Sequence, residues 1–224
     1  MRRIDQNLKR EVLELLAGRS VVLVGLMGCG KSAIGRRLSQ ALDLPFMDAD
    51  TEIEIAACKT VSEIFADHGE RYFRDGERRV IRRLMAGRQH VLATGGGAFM
   101  DPRTRATIRD AGVSVWLRAD LDVLVERVSR RETRPLLKGG NKREILQDLM
   151  AERNPIYGKA DIEIESVAGS HEAVVLAVLK GLRDGMPKRS AMCRTPSSPL
   201  ADVGSGLGDA VSFSADPANE LSNK

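Results

Sequence analysis

Apolar residues along this chain fall into two patterns. Short continuous runs are bounded by polar or turn-forming residues, and between them apolar residues return every three or four positions. The first pattern predicts buried β-strands and the second predicts amphipathic helices. Strands are predicted at 20–24, 45–48, 91–93, 113–117 and 161–165. Helices are predicted at 5–16, 33–42 and 51–57, from Thr60 to a break near His68-Gly69, and at 74–85. Further helices are predicted from Pro102, from Leu121, at 142–152 and at 172–182.

Strand and helix alternate from the first strand to the last, which predicts an α/β fold with a parallel sheet and helices on both faces. The alternation ends near Gly185, after which the chain is rich in Ser, Pro, Gly, Asp and Asn. Such a segment cannot bury enough apolar surface to offset the entropy lost on ordering. We therefore expect an N-terminal helix within 1–18, one globular domain over 19–184 and a disordered tail over 185–224.

Composition narrows the class of protein. The 224 residues are 42% hydrophobic and 29% charged, as expected of a globular domain with a proper core. The net charge of +4 is modest and scattered, so it does not indicate a nucleic-acid partner. Cys29, Cys58 and Cys193 show no metal or disulfide spacing, and no apolar stretch approaches the roughly 20 residues of a transmembrane helix. We expect a cytoplasmic protein without a membrane segment.

The segment Gly25-Leu-Met-Gly-Cys-Gly-Lys-Ser32 matches the pattern G-x-x-x-x-G-K-[ST] between a predicted strand and a predicted helix. In that setting the glycine-rich turn presents backbone N–H groups to a phosphate at the positive end of a helix. Lys31 would reach the β- and γ-phosphates, and the Ser32 hydroxyl would hold Mg²⁺. An ordinary glycine turn is the alternative. The strand-to-helix setting favours a phosphate-binding loop, or P-loop.

Further candidates follow the second and third predicted strands. On an extended segment the side chains of Asp48 and Asp50 would point in different directions, one toward a metal and the other toward a substrate hydroxyl. A turn with an aspartate helix cap explains the pair equally well. Thr94 is followed by three glycines ending at Gly97, which lose much conformational entropy unless a ligand approaches the backbone closely.

Arginines supply the remaining candidates. Arg74 and Glu77 are three residues apart on a predicted helix, and a surface ion pair of little energetic value is the usual explanation for that spacing. Arg134 lies in the polar segment 130–140, which we interpret as a mobile loop. A loop arginine that closes over phosphates can stabilise the transition state of phosphoryl transfer. Arg153 ends the next helix, and the three histidines form no cluster and are interpreted as structural.

Taken together, these motifs resemble those of shikimate kinases, in the same order along the chain. They are the segment 25–32, Asp48-x-Asp50, Ile64-Phe65 through Phe73-Arg74-x-x-Glu77, Thr94-Gly-Gly-Gly97, Arg134-Pro-Leu-Leu137 and Arg153-x-Pro-x-Tyr157. The resemblance covers roughly 19–182. It implies a three-layer P-loop kinase fold with a five-stranded parallel sheet, helices on both faces and a mobile lid at about 130–140. It also implies transfer of the ATP γ-phosphoryl group to the 3-hydroxyl of shikimate, a step toward chorismate and the aromatic amino acids.

The resemblance implies a role for each matching position. The nucleotide would be bound by Gly28, Cys29, Gly30, Lys31, Ser32 and Ala33, with Arg127 packed on the adenine and Arg134 on the phosphates. Mg²⁺ would be held by Ser32 and, through water, by Asp48. Shikimate would be bound by Asp50, Arg74, Gly96 and Arg153, the two arginines clamping its carboxylate. The residues implied in catalysis are Lys31, Asp50 and Arg134. We expect a monomer that binds ATP and shikimate, with no nucleic acid or membrane as a partner.

Two alternatives stay open. Another small-molecule kinase of the same fold, such as a gluconate kinase or a nucleotide kinase, would share the P-loop and lid. It would not combine the glycine triplet with Arg74 and Arg153. A non-catalytic regulator that binds ATP or shikimate would be expected to lack Lys31, Ser32 or Asp50, all of which are present, or to carry a DNA-binding helix pair.

Overall fold

A computed structural model describes residues 5–129, 141–166 and 170–185. Within these ranges five strands form one sheet: β1 Ser20–Val24, β2 Phe46–Asp48, β3 Val91–Ala93, β4 Gly112–Arg118 and β5 Ile162–Glu165. All neighbours are parallel, and the strands lie in the order β2-β3-β1-β4-β5. The predicted five-stranded parallel sheet is confirmed, and every strand begins and ends within one residue of its predicted position.

Helices of the described ranges form a layer on each face of the sheet. They are α1 Gln6–Leu16, α2 Lys31–Leu42, α3 Ala49–Ala57, α4 Val61–Met85, α5 Pro102–Ala111, α6 Leu121–Ser129, α7 Lys142–Tyr157 and α8 His171–Gly185, with a 3₁₀ turn at Ala98–Met100. Helices α1, α2 and α8 pack against one another, and α4 packs against α5. Among these helices none combines the length and the apolar character that a bilayer crossing needs. The predicted lid, with Arg134, and the predicted tail beyond Gly185 lie outside the described residues.

Two helices begin at caps formed by nearby side chains. Thr60 and Glu63 form a capping box at the start of α4, in which each side chain accepts a hydrogen bond from the other's backbone N–H. Asp101 caps α5, and Pro102 occupies its first position. Helix α4 is broken at Gly69, where φ is 77°, a conformation that glycine adopts at little steric cost.

Strand β1 lies at the centre of the sheet and is buried along its whole length. Val22 pairs with Leu92 of β3 on one side and with Ser114 of β4 on the other, and helices cover both faces, which explains its uninterrupted apolar run. Because β1, β2 and β3 are adjacent and parallel, their carboxyl ends meet at one edge of the sheet. The P-loop, Asp48 and Thr94 follow these three ends, so the fold gathers the predicted candidates.

The prediction of an extended segment through Asp50 was wrong. Helix α3 begins at Ala49, so Asp50 lies in the first helical turn. The reason is that Asp48 acts as the helix cap, its Oδ1 accepting a hydrogen bond from the Asp50 N–H at 3.2 Å. The two aspartates therefore differ in position because one caps the helix and the other belongs to it.

Candidate functional site

The loop after β1 has the backbone that a phosphate cradle requires. Gly25, Gly28 and Gly30 have φ values of 134°, 86° and 99°, which residues with a side chain rarely adopt. At Gly25 the space is closed as well, because a Cβ would lie 2.7 Å from the carbonyl oxygen of Leu117. Gly30 precedes α2 and contributes no side-chain cap, so the first N–H groups of α2 are left for an anion.

Lys31 begins α2 and is largely buried, with 9% of its surface exposed. Its ammonium donates to the carbonyl oxygens of Gly25 at 2.7 Å and Leu26 at 2.9 Å. A charged group can be buried at tolerable cost only with such partners. The positive charge is thereby held against the same loop whose N–H groups face the anion.

Ser32 and Asp48 come together from different elements. The Ser32 hydroxyl, on α2, donates to Oδ2 of Asp48, at the end of β2, over 2.6 Å. Asp48 uses its other oxygen to cap α3, so the cap interpretation of this residue is confirmed and leaves Oδ2 for the site. Hydroxyl and carboxylate oxygens are donors that Mg²⁺ accepts, with phosphate and water oxygens completing its octahedron. The two side chains therefore fit a magnesium ion that arrives with a nucleotide.

A cavity of about 370 Å³ opens over the loop. Most residues predicted to bind the nucleotide or the metal line it: Gly28, Gly30, Lys31, Ser32, Ala33, Asp48 and Arg127. Cys29, the remaining described candidate, is only 1% exposed and is absent from this lining. We call this space the nucleotide cavity.

Arg127, which was predicted to pack on adenine, lies beside the P-loop. Its Nη1 is 3.3 Å from the carbonyl oxygen of Gly28, 3.4 Å from that of Cys29 and 3.2 Å from the Ser166 hydroxyl. Ser166 in turn donates to the Cys29 carbonyl at 2.8 Å. Helix α6 and the end of β5 are thus joined to the loop, and Arg127 supports the loop from the side.

Sequence reasoning missed His171. It was interpreted as structural, yet it lies in the first turn of α8 and lines the nucleotide cavity. Partial burial lowers the pKa of its imidazole, and the positive charges of Arg37 and Arg127 lower it further. No local pattern marks this residue, because its place in the cavity depends on how α8 packs.

A second cavity, of about 440 Å³, adjoins the first. Its lining includes all four residues predicted to bind the second substrate, together with Glu77: Asp50, Arg74, Glu77, Gly96 and Arg153. Asp50 and Gly96 line both cavities. Groups bound in the two cavities would therefore meet at these two residues. We call the second space the acceptor cavity.

Arg74 and Glu77 form the ion pair that their spacing allows, but the surface interpretation of this pair was wrong. Nη1 of Arg74 lies 2.8 Å from Oε2 of Glu77, and Nη2 lies 3.0 Å from Oε1 of Glu70. The Glu77 side chain is only 3% exposed. The pair forms part of the wall of the acceptor cavity, where exclusion of water strengthens charge interactions.

Arg153 brings a positive charge to the acceptor cavity from α7. The residue is 8% exposed, and among the described residues its Nε and Nη1 have no hydrogen-bond partner. A buried guanidinium with unfilled donor positions is costly. The residue also lines the acceptor cavity, and a planar guanidinium matches a carboxylate, so Arg153 can bind a carboxylate that enters this cavity.

Glu77 lines the same cavity. Its Oε1 is buried and has no hydrogen-bond partner among the described residues. Burial raises the pKa of Glu77 to about 7, against the opposing effect of Arg74, and the negative charge of Asp50 adds to the rise. The carboxyl group therefore changes charge near neutral pH.

The three glycines after β3 differ in why they lack a side chain. A Cβ on Gly95 would lie 2.4 Å from Oε1 of Glu77, and one on Gly97 would lie 2.5 Å from the guanidinium of Arg74. On Gly96 the nearest protein atom would be 3.5 Å away, an ordinary contact. Packing within the protein thus explains two of the glycines, and the open space over Gly96 is space for a ligand.

Comparison with protein families and curated relatives gives consistent matches. The family model described as SKI: Shikimate kinase matches residues 27–183. The shikimate kinase of Paramagnetospirillum magneticum is 52% identical over 185 residues, which cover 80% of this chain and 95% of the relative. That of Novosphingobium aromaticivorans is 55% identical over 169 residues, which cover 74% of this chain and 88% of the relative.

Among solved structures, a shikimate kinase is also more similar to this chain than a gluconokinase is. Shikimate kinase from Acinetobacter baumannii in complex with shikimate superimposes with a TM-score of 0.72 at 34% identity, covering 75% of this chain and 95% of that one. A gluconokinase from Sinorhizobium meliloti superimposes with a TM-score of 0.50 at 20% identity, covering 74% of this chain and 91% of that one. The second likeness concerns the fold alone, and the predicted fold class is confirmed.

Proposed function

The chain belongs to the shikimate kinase family, and from that premise we propose how its two cavities share the reaction. The enzyme transfers the γ-phosphoryl group of ATP to the 3-hydroxyl of shikimate, on the route to chorismate. ATP occupies the nucleotide cavity and shikimate the acceptor cavity. The observation that carries this assignment is that Asp50 and Gly96 line both cavities, because phosphoryl transfer needs the donor and acceptor groups held in contact and in line.

The shikimate carboxylate binds between Arg74 on α4 and Arg153 on α7. Arg153 lines the acceptor cavity with a largely buried side chain, and the planar donors of a guanidinium suit a carboxylate. Arg74 is already oriented by Glu77 at 2.8 Å and Glu70 at 3.0 Å. The ring would lie against Gly96, where no Cβ obstructs its approach.

The phosphates of ATP lie against the P-loop N–H groups and the Lys31 ammonium. Ser32 and Asp48 would hold Mg²⁺, which supplies further neutralisation of phosphate charge when bound. Arg134 is proposed as a third cationic group on the phosphates; it lies outside the described residues, and its support is the resemblance alone. Neutralising developing charge in this way is the main task in phosphoryl transfer.

Asp50 is proposed as the group that accepts the hydroxyl proton. As the shikimate oxygen forms its bond to the γ-phosphorus, the bond from that phosphorus to the bridging oxygen breaks and ADP leaves. The proton of the attacking hydroxyl passes to the Asp50 carboxylate. The place of Asp50 at the junction of the cavities supports this role.

The remaining proposals concern the whole chain. We propose a monomer, since both cavities are lined from within one chain, and a cytoplasmic location, since the cysteine spacing favours no disulfide framework. The catalytic domain is proposed to span 19–184 and to act without a nucleic-acid partner. The tail over 185–224 is given no part in the reaction.

A comparison of acceptors tests the function. ADP release should be fast with shikimate and slower by orders of magnitude with quinate and gluconate, all at equal ATP and Mg²⁺. Quinate adds a ring hydroxyl and gluconate lacks the ring, so neither places its hydroxyl at Asp50 while its carboxylate lies between the two arginines. A coupled assay records the rates, and calorimetry records binding of each compound.

Two other results of this comparison would each support one of the alternative functions. Faster ADP release with gluconate than with shikimate would identify a sugar-acid kinase. Tight binding of ATP and shikimate without ADP release from any acceptor would identify a regulator.

Shikimate binding is expected to take up protons near neutral pH. A bound carboxylate adds negative charge beside Glu77 and competes for Arg74, which raises the pKa of Glu77 above its value of about 7 in the free enzyme. A group more protonated in the complex than in the free enzyme makes binding weaken as pH rises through that range. The Kd of shikimate should therefore increase between about pH 6 and about pH 8, and calorimetry in buffers of different ionisation enthalpy should show proton uptake.

Glu77→Gln is the matched control, since the amide still accepts from Arg74 but does not titrate. It should abolish the proton uptake and flatten the pH dependence. Identical proton uptake in the variant would show that another group is responsible.

A further inference from the structure

Gly96 is held in place by a side chain from α7. The hydroxyl of Tyr157 donates a hydrogen bond to the Gly96 carbonyl oxygen. Tyr157 is fully buried, and its ring centroid lies 5.9 Å from that of Trp116 and 6.4 Å from that of Phe99. Close packing of this kind leaves the ring one position, so the hydroxyl is fixed relative to the sheet.

The carbonyl groups of the glycine triplet are held in two different ways. Those of Gly95 and Gly97 accept from backbone N–H groups of the following 3₁₀ turn, at 3.3 and 3.0 Å. The carbonyl of Gly96, between them, accepts from Tyr157. Because glycine has the most permissive backbone, the peptide after Gly96 would be less restrained without this bond.

Tyr157 also lies near Arg153. The two residues are one helical turn apart on α7, so their side chains lie on the same face. Burial raises the pKa of Tyr157, while the positive charge of Arg153 opposes the rise. The hydroxyl thus stays protonated at neutral pH and donates to Gly96.

We propose that Tyr157 is a positioning residue for shikimate, which sets Arg153 and the backbone of Gly96 at a fixed separation. The inference rests on the proposed function, in which Arg153 binds the carboxylate and Gly96 lies against the ring. Tyr157 itself is absent from the lining of the acceptor cavity, so it acts through these two neighbours. Contacts fixed before the ligand arrives reduce the entropy lost on binding.

Tyr157→Phe tests the proposal, because it keeps the packed ring and removes only the hydroxyl. The KM and Kd of shikimate should rise about 5- to 10-fold, as expected for one buried hydrogen bond. The KM of ATP should stay within about twofold, and kcat should change little, because the phosphate side of the site is untouched. The matched control is Tyr72→Phe, which removes the hydroxyl of the chain's other tyrosine, located on α4 outside both cavities, and should leave both KM values unchanged.

A double-mutant cycle with Arg153→Lys gives a second measurement. If the hydroxyl acts through Arg153, the combined loss in shikimate affinity should be smaller than the product of the single losses. A lower melting temperature with unchanged shikimate KM would show that Tyr157 only fills the core and would overturn the inference. An equal rise in both KM values would overturn it as well. Wild-type protein that does not use shikimate would overturn the proposed function, a result distinct from either of these.

Discussion

Replacing Lys31 with methionine is expected to lower kcat about 100- to 1000-fold, the loss typical of removing one preorganised donor to transition-state charge. Methionine keeps an unbranched apolar stem of similar length, so the buried part of the side chain still packs beside the P-loop. The positive charge that compensates the phosphates is lost. Because that charge belongs to the nucleotide cavity, the KM of shikimate should change little. A coupled ADP-release assay at saturating substrates measures the effect.

Lys180→Met serves as the control for Lys31→Met. Lys180 is exposed on α8, so its replacement should leave kcat and both KM values as in the wild type. Lys31 also donates to two loop carbonyls, so thermal unfolding of each variant is needed to separate lost stability from lost catalysis. A folded Lys31→Met protein with kcat within about threefold of the wild type would refute the assigned role of this charge.

Arg153→Met should lower kcat/KM for shikimate by about 100-fold or more. Two charge-assisted hydrogen bonds to a carboxylate would be lost, each worth about 1.5–3 kcal/mol. The KM of ATP should not move. The melting temperature should hold or rise, because the change removes a buried cation two of whose nitrogens have no hydrogen-bond partner among the described residues. Activity and stability are therefore expected to change in opposite directions, which steady-state kinetics and calorimetric unfolding can establish.

Arg118→Met provides the comparison for Arg153→Met. The Arg118 side chain is 56% exposed and pairs with Glu163 at the surface, where such pairs contribute little, so both activity and stability should stay close to the wild type. A loss in ATP affinity as large as the loss in shikimate affinity would mean that Arg153 supports the whole site. The assignment of the carboxylate to Arg153 would then be wrong.

The sheet could be predicted from sequence because its determinants are local. Strand β1 is an uninterrupted apolar run since it is covered on both faces, and a buried central strand leaves that signature in any sequence. The caps at Thr60 and Asp101 are likewise local, because a helix end is satisfied by residues two or three positions away. The P-loop combines both kinds of signal, a buried strand and a glycine turn before a helix.

Tertiary packing decided the features that local patterns did not predict. Helix α7 continues through Pro155 to Tyr157, beyond its predicted end at residue 152, and Tyr157 is fully buried there. Glu77 has a raised pKa because α4 buries it beside Asp50, and nothing within three residues of it signals that burial. His171 enters the nucleotide cavity from the last helix.

The strand order also sets the moment during translation at which the chain gains its affinity for ATP. Strand β1 leaves the ribosome before β3 and β4, but Val21 pairs with Val91 of β3 and Val113 of β4. A central strand without its neighbours has unpaired backbone groups, so the P-loop has no rigid support until β4 has been synthesised, at about half of the chain. Pairings between segments so distant in sequence form slowly. A nascent chain shorter than this is therefore expected to show no ATP binding.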